Sequence, residues 1–146
     1  MRFSKVRRVA SPRYGTDGSA GIDFFVPEDF TPIELGSFEG VVIPSGVRVE
    51  IPEGYAMVAF NKSGIATTLQ LQVGANVIDS DYQGEIHLHV INCSRRAVYI
   101  QPRMKLIQFV VLPILHPVLC EIDNAGMHLM PTVRGEGGFG STGGGA

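Results

Sequence analysis

Within residues 74–85, Gly-Ala-Asn-Val-Ile-Asp-Ser-Asp-Tyr-Gln-Gly-Glu, three carboxylates and a tyrosine crowd into twelve positions. Asp79 ends the apolar pair Val77-Ile78 and opens a turn. A carboxylate held there can polarise a water as a general base, although Asp, Ser and Gly are also ordinary hairpin-turn residues. Asn61-Lys62-Ser63-Gly64 joins a cation, a hydroxyl and a glycine at a strand end, a set suited to phosphate. In Ser19-Ala20-Gly21-Ile22-Asp23 an acid enters an apolar strand. The tail holds Gly135-Glu136-Gly137-Gly138-Phe139-Gly140, a formal G-x-G-x-x-G. It lacks the strand before and helix after that a dinucleotide site needs, and no lysine precedes Ser141-Thr142 as in a P-loop. Exposed glycine amides can still cradle phosphate, Arg134 adds a planar fork of donors, and Phe139 can stack on a base. The alternative is a plain flexible terminus.

The elements that must position these groups follow a period of two. Val47-Arg48-Val49-Glu50-Ile51 and Glu85-Ile86-His87-Leu88-His89-Val90 alternate apolar and polar, as half-buried strands do. Further strands are expected over residues 3–9, 21–26, 55–60, 97–101, 106–112 and 118–122. Turn signals at Pro12–Gly18, Pro27–Asp29, Pro44–Gly46, Pro52–Gly54 and Asn92–Arg96 separate them. Only Ser63–Leu71 could hold a short helix. Many short strands imply an all-β sandwich or barrel. The expected organisation is one β domain over residues 1–133, followed by a glycine-rich C-terminal arm over residues 134–146.

Composition agrees. The 146 residues include 18 glycines and 9 prolines, which argues against a helical bundle. A hydrophobic content of 45% excludes a disordered chain. The richest apolar stretch, Leu106–Leu115, is too short to span a bilayer, and no secretory signal is visible in MRFSKVRRVA. No membrane association and a cytoplasmic location are therefore expected. The net charge of −2 excludes a general polyanion binder, so no direct nucleic-acid binding is expected. Arg2, Lys5, Arg7, Arg8 and Arg13 form a basic arm, read as the wet face of a first strand rather than a phosphate contact. Cys93 and Cys120 read as small core fillers in a reducing compartment. His87 and His89 share a strand face at a spacing that can chelate a metal, but they read as a polar sheet face. His116 and His128 read as surface residues.

The order and spacing of these pieces closely resemble the trimeric dUTPase family, the deoxyuridine 5'-triphosphate nucleotidohydrolases. Gly18–Asp23 resembles the first family motif, Asn61–Gly64 the second, Gly74–Gly84 the third, Lys105–Gln108 the fourth and Arg134–Gly143 the fifth. The resemblance covers almost the whole chain, from about Pro12 to Gly143.

That resemblance implies a distorted jelly-roll-like β-barrel or sandwich with at most one short helix. It implies a homotrimer whose active sites are shared between subunits, with the arm closing as a lid. It implies hydrolysis of dUTP to dUMP and pyrophosphate, with Mg²⁺ as cofactor. This keeps uracil out of DNA and supplies dUMP for thymidylate synthesis. Asp79 is then the general base, directing a water at the α-phosphorus, and Tyr82 lies under the deoxyribose. Gly74, Asn76, Val77 and Ile78 read the uracil edge. Lys62, Ser63, Gly64 and Gln108 meet the triphosphate. Arg134, Gly140, Ser141 and Thr142 hold its far end, Phe139 stacks over uracil, and Asp23 holds waters of the Mg²⁺. Lys62 and Lys105 stand where most relatives carry Arg, which keeps the charge but loses the bidentate fork. Asn76 stands where many have Gly. In the related dCTP deaminases a Glu occupies the position of His89, which speaks against deamination. A second reading is a regulatory module that binds a protein partner, should the gene be viral; the location would then be the host cell interior.

Overall fold

Alternating side chains become short antiparallel strands in a computed structural model that describes residues 1–127 and 130–138. They are β1 (Arg2–Lys5), β2 (Arg13–Tyr14), β3 (Ile22–Phe24), β4 (Ile33–Leu35), β5 (Gly40–Pro44), β6 (Val47–Glu50), β7 (Tyr55–Asn61), β8 (Leu71–Val73), β9 (Val77–Ile78), β10 (His87–Asn92), β11 (Val98–Ile100) and β12 (Ile107–Pro113). Among the described residues one helix, α1 (Ser63–Thr68), lies between β7 and β8, and a 3₁₀ turn covers Asn124–Gly126. The chain divides into two units, Met1–Leu115 and His116–Ala146.

In the first unit, five strands run in the order β2-β3-β12-β7-β9 and three in the order β5-β10-β8. Two strand pairs, β1-β6 and β11-β4, complete it. Every pairing is antiparallel, and the five-stranded sheet is open, with β2 and β9 at its edges. The spine is β7 against β12, paired through seven residues from Asn61↔Ile107 to Tyr55↔Pro113.

Period two explains the burial. In β10, Leu88, Val90 and Asn92 point inward, leaving His87 exposed and His89 half-buried on the other face. In β6, Val47 and Val49 are buried while Arg48 and Glu50 face water. The core gathers Phe24, Val26, Ile43, Met57, Leu71, Ile86, Leu88, Ile100, Ile107 and Phe109. Phe24 and Phe109 meet edge-to-face, with ring centroids 4.7 Å apart. Asn92 is a buried polar strut. Its amide nitrogen donates to the carbonyls of Leu35, Gly36 and Arg96 at 2.9–3.0 Å, and its oxygen accepts from the Ser94 amide and hydroxyl. Gly46 turns the chain from β5 into β6 with φ +76°, a backbone most side chains resist.

Several expectations need correction. The strand expected over residues 118–122 does not form. Val118 and Leu119 are more than nine-tenths exposed, and no ladder partner reaches them among the described residues. The first strand stops at Lys5: residues 6–8 bend away, after one last bond from the Val6 amide to the Gly46 carbonyl. Strands β4, β5 and β8, not expected, are held by pairing with β11 and β10, and β2, inside the expected turn Pro12–Gly18, is held by β3. Cys93 and Cys120 are exposed rather than core fillers. Inward-facing Asn92 ends β10, so the next side chain, Cys93, turns outward. Of the basic arm, expected to be the wet face of a first strand, only Arg2 and Lys5 lie on β1; Arg7 and Arg8 lie in the bend after it and Arg13 in β2. β1 is exposed throughout, Arg2 pairs with Glu50, Arg8 with Glu28, and Arg7 lies 3.5 Å from Glu85. His116 is exposed, and His128 lies outside the described residues.

Candidate functional site

Two clusters carry the residues singled out in the first unit. The first sits where the chain crosses between sheets. β8 belongs with β10, β9 belongs with β7, and Gly74–Asn76 spans the gap. The crossing is pinned at each step. Gly74 donates its N–H to the His89 carbonyl at 3.0 Å, Ala75 donates to His89 Nδ1 at 2.8 Å, and the Asn76 carbonyl accepts from Ala59 at 2.7 Å. A Cβ on Gly74 would fall on the His89 ring, so only glycine lets the two touch. β9 is an edge strand, paired on one side through Met57↔Ile78 and Val58↔Val77. Its other side keeps backbone donors and acceptors for an incoming partner.

This crossing borders a cleft of about 200 Å³ lined by Val42, Ala75, Val77, Ile78, Asp79, Tyr82, His87 and His89. That is below the ~300–1,000 Å³ of drug-sized pockets, so it suits one ring and not a whole nucleotide. After β9 the chain turns, with the Tyr82 N–H meeting the Asp79 carbonyl at 3.2 Å. The Tyr82 ring folds over Gly84, and its hydroxyl donates to the Glu85 carbonyl at 2.9 Å, which fixes the ring at the rim. Asp79 is exposed and, among the described residues, its carboxylate has no ion pair.

The second cluster brings together pieces far apart in sequence. Asp23 in β3 is 3% exposed. One of its carboxylate oxygens meets Lys62 at the end of β7; the other lies 3.2 Å from Lys105 before β12. Two ammoniums on one buried carboxylate satisfy its desolvation and leave one net positive charge. Gln108 lies opposite Asp23 in the ladder, its side chain across Gly21 and its Nε2 donating to the Asn61 carbonyl at 2.9 Å. The Asn61 side chain accepts from the Val73 amide and donates to Gln72, tying β7 to β8 ahead of Lys62. Ser63 and Gly64 open α1, exposed beside Lys62.

The described part of the second unit contributes a turn. Arg134 Nε donates to the Gly137 carbonyl at 3.1 Å, and Gly135 adopts φ +51°. Phe139, Gly140, Ser141 and Thr142 lie outside the described residues.

Asp79, Tyr82, Val77 and Ile78 are therefore brought together, with Gly74 and Asn76 along the crossing. Asp23, Lys62 and Gln108 meet in the other cluster. No residue of the lysine cluster lines the cleft. Sequence reasoning missed Val42 and the paired histidines as cleft residues. The alternation of β10 placed His87 and His89 on one face but not what that face borders. Among the described residues no three His, Cys, Asp or Glu side chains gather as a metal site, and no helix is long and apolar enough to cross a membrane.

A family model described as dUTPase matches residues 7–143. A deoxyuridine 5'-triphosphate nucleotidohydrolase of Dictyoglomus turgidum is 38% identical over 135 residues, covering 90% of this chain and 89% of that protein. One of Hydrogenobaculum sp. is 37% identical, covering 98% and 97%. Among solved structures, a staphylococcal bacteriophage 80alpha dUTPase holding dUpNHpp superposes with a TM-score of 0.84 at 23% identity, covering 97% of each chain. That likeness shows the jelly-roll-like fold. With a family model across nearly its full length and relatives of this identity and coverage, the chain belongs to the dUTPase family.

Proposed function

We propose that the protein hydrolyses dUTP to dUMP and pyrophosphate. The observation that carries this reading is the one-ring cleft bordered by an unpaired strand edge, with Asp79 and Tyr82 at its rim. It suits a pyrimidine whose edge alternates donors and acceptors. In this reading Val77 and Ile78, with Gly74 and Asn76 beside them, bond the uracil edge. The fixed Tyr82 ring supports the deoxyribose and leaves no room for a 2′-hydroxyl. Asp79 takes a proton from a water aimed at the α-phosphorus. The P–O bond to the leaving pyrophosphate breaks, and the proton stays first on the Asp79 carboxylate.

Lys62, Ser63, Gly64 and Gln108 receive the triphosphate, and Arg134, Gly140, Ser141 and Thr142 hold its far end while Phe139 covers the base. Charge-assisted contacts of this kind stabilise charge that shifts toward the leaving group. Because the cleft and the lysine cluster share no residue, the reading places each active site between copies of the chain in a homotrimer.

Mg²⁺ fits as a companion of the substrate. Asp23 is a single carboxylate already paired with two ammoniums, too few ligands to hold the ion alone, but able to accept hydrogen bonds from its waters. When bound, Mg²⁺ neutralises and orients the phosphate chain. The product would supply dUMP for thymidylate synthesis and keep dUTP from DNA polymerases.

The experiment is pyrophosphate release from dUTP, dTTP, dCTP and UTP at equal concentration. Turnover of dUTP at least a hundredfold above the other three is expected. Equal turnover of all four would overturn the reading.

A further inference from the structure

The motifs leave His89 without a role, yet it accepts two hydrogen bonds from the crossing segment. Its backbone carbonyl takes the Gly74 amide at 3.0 Å and its ring Nδ1 takes the Ala75 amide at 2.8 Å. Gly74 is in direct contact with the ring face. Two successive amides, at the point where the chain leaves one sheet for another, are thus held by one residue. Ala75 and His89 both line the cleft, with Val42 opposite His89 across the β5–β10 ladder.

We infer that His89 is a positioning residue that sets base selectivity, holding the Gly74–Ala75 rim against β10 through a lone pair on Nδ1. The inference rests on the base-reading role proposed for the cleft. Because an amide can only donate, Nδ1 must be unprotonated and the ring's proton must sit on Nε2. The ring is therefore neutral in this arrangement, and the bond spends the Ala75 amide inside the protein. The ligand is left with the groups of β9. The rim position also fixes the width of a cleft whose volume is only about 200 Å³. At that size a displacement of one ångström decides whether a ring with an extra methyl group enters.

This predicts a chemical pattern that packing alone does not. The His89→Asn variant keeps an oxygen acceptor near the place of Nδ1. His89→Gln carries its acceptor farther out, near the place of Nε2, and His89→Leu has none. The readouts are kcat and KM for dUTP and dTTP, the thermal melting midpoint, and hydrogen exchange at the Ala75 amide. For Leu and Gln the expected result is a KM for dUTP raised roughly tenfold with kcat changed less, and discrimination against dTTP reduced roughly tenfold, the scale of one methylene in a snug pocket. Their Ala75 amide should exchange at least tenfold faster. Asn should stay within about threefold of the parent on every count. The inference is overturned if Gln and Leu keep full selectivity and a protected Ala75 amide, or if Asn is as impaired as Leu. Should Leu fail to fold, the comparison of Asn with Gln decides. A parent protein that does not turn over dUTP would defeat the proposed function instead, and the Ala75 exchange would still report on the hold.

Discussion

Asp23 is the residue on which the phosphate side of the account turns. It is 3% exposed, and its two oxygens are shared between Lys62 and Lys105. Lysine is a compact point charge with rotatable donors, whereas arginine is a rigid fork. In the proposed function Lys62 can therefore turn to a phosphate oxygen without a fixed geometry being lost, while Lys105 still pairs Asp23. Replacing Asp23 by Asn removes the acceptor charge and leaves two like charges facing each other. Because the lysine side chains are 24% and 40% exposed, water offsets part of the cost. A loss of about 1–3 kcal/mol is expected in urea denaturation, together with a higher KM for dUTP. A variant as stable as the parent would show that the triad does not hold β3, β7 and β12 together here.

At the scale of elements, β1 is lightly attached. All four of its residues are exposed, and it pairs with β6 alone. Arg2 bonds Glu50 through both carboxylate oxygens at 2.6 Å, and that bond holds the Glu50 carboxyl below the usual carboxylate range. A carboxyl lowered in the folded state adds stability above its unfolded value and loses it as the pH falls through the folded one. The β1 amides should thus exchange faster at pH 3 than their chemistry predicts, and Arg2→Ala should abolish that difference. Since both groups are fully exposed, added salt should shrink the effect. An unchanged pH dependence in Arg2→Ala would contradict this. The strands that sequence made legible are those whose alternation is sharp, such as β6 and β10. Those it did not reveal, β2, β4, β5 and β8, are two to five residues long and exist because β3, β11 and β10 supply their partners. Local periodicity cannot reveal a partner that lies elsewhere in the chain, whether as near as Val73↔Val90 or as far as Ile33↔Ile100. Residues 118–122 fail for the opposite reason, being strand-like in composition with no partner among the described residues.

At the scale of the whole molecule, the site was legible as a set of motifs but not as a geometry. Spacing placed Asp79 and Tyr82 at a turn. It could not show that Asp23 meets two lysines, nor that His89 touches Gly74, because both contacts join separate sheets or strands. The separation of cleft and lysine cluster gives a direct prediction about assembly. Asp79→Asn should lower kcat by about 10²–10⁴-fold, the usual share of a general base, and Lys62→Met should be severely impaired. If each site is built between copies, co-refolding the two variants in equal amounts should restore about one quarter of the parent rate, since random mixing pairs intact halves that often. No recovery would place the whole site within one copy. The central claim, that water attacks the α-phosphorus of dUTP, is tested most directly by turnover in ¹⁸O-labelled water followed by mass spectrometry. The account predicts one labelled oxygen in dUMP and none in pyrophosphate. Label in pyrophosphate, or release of dUDP and phosphate, would contradict it.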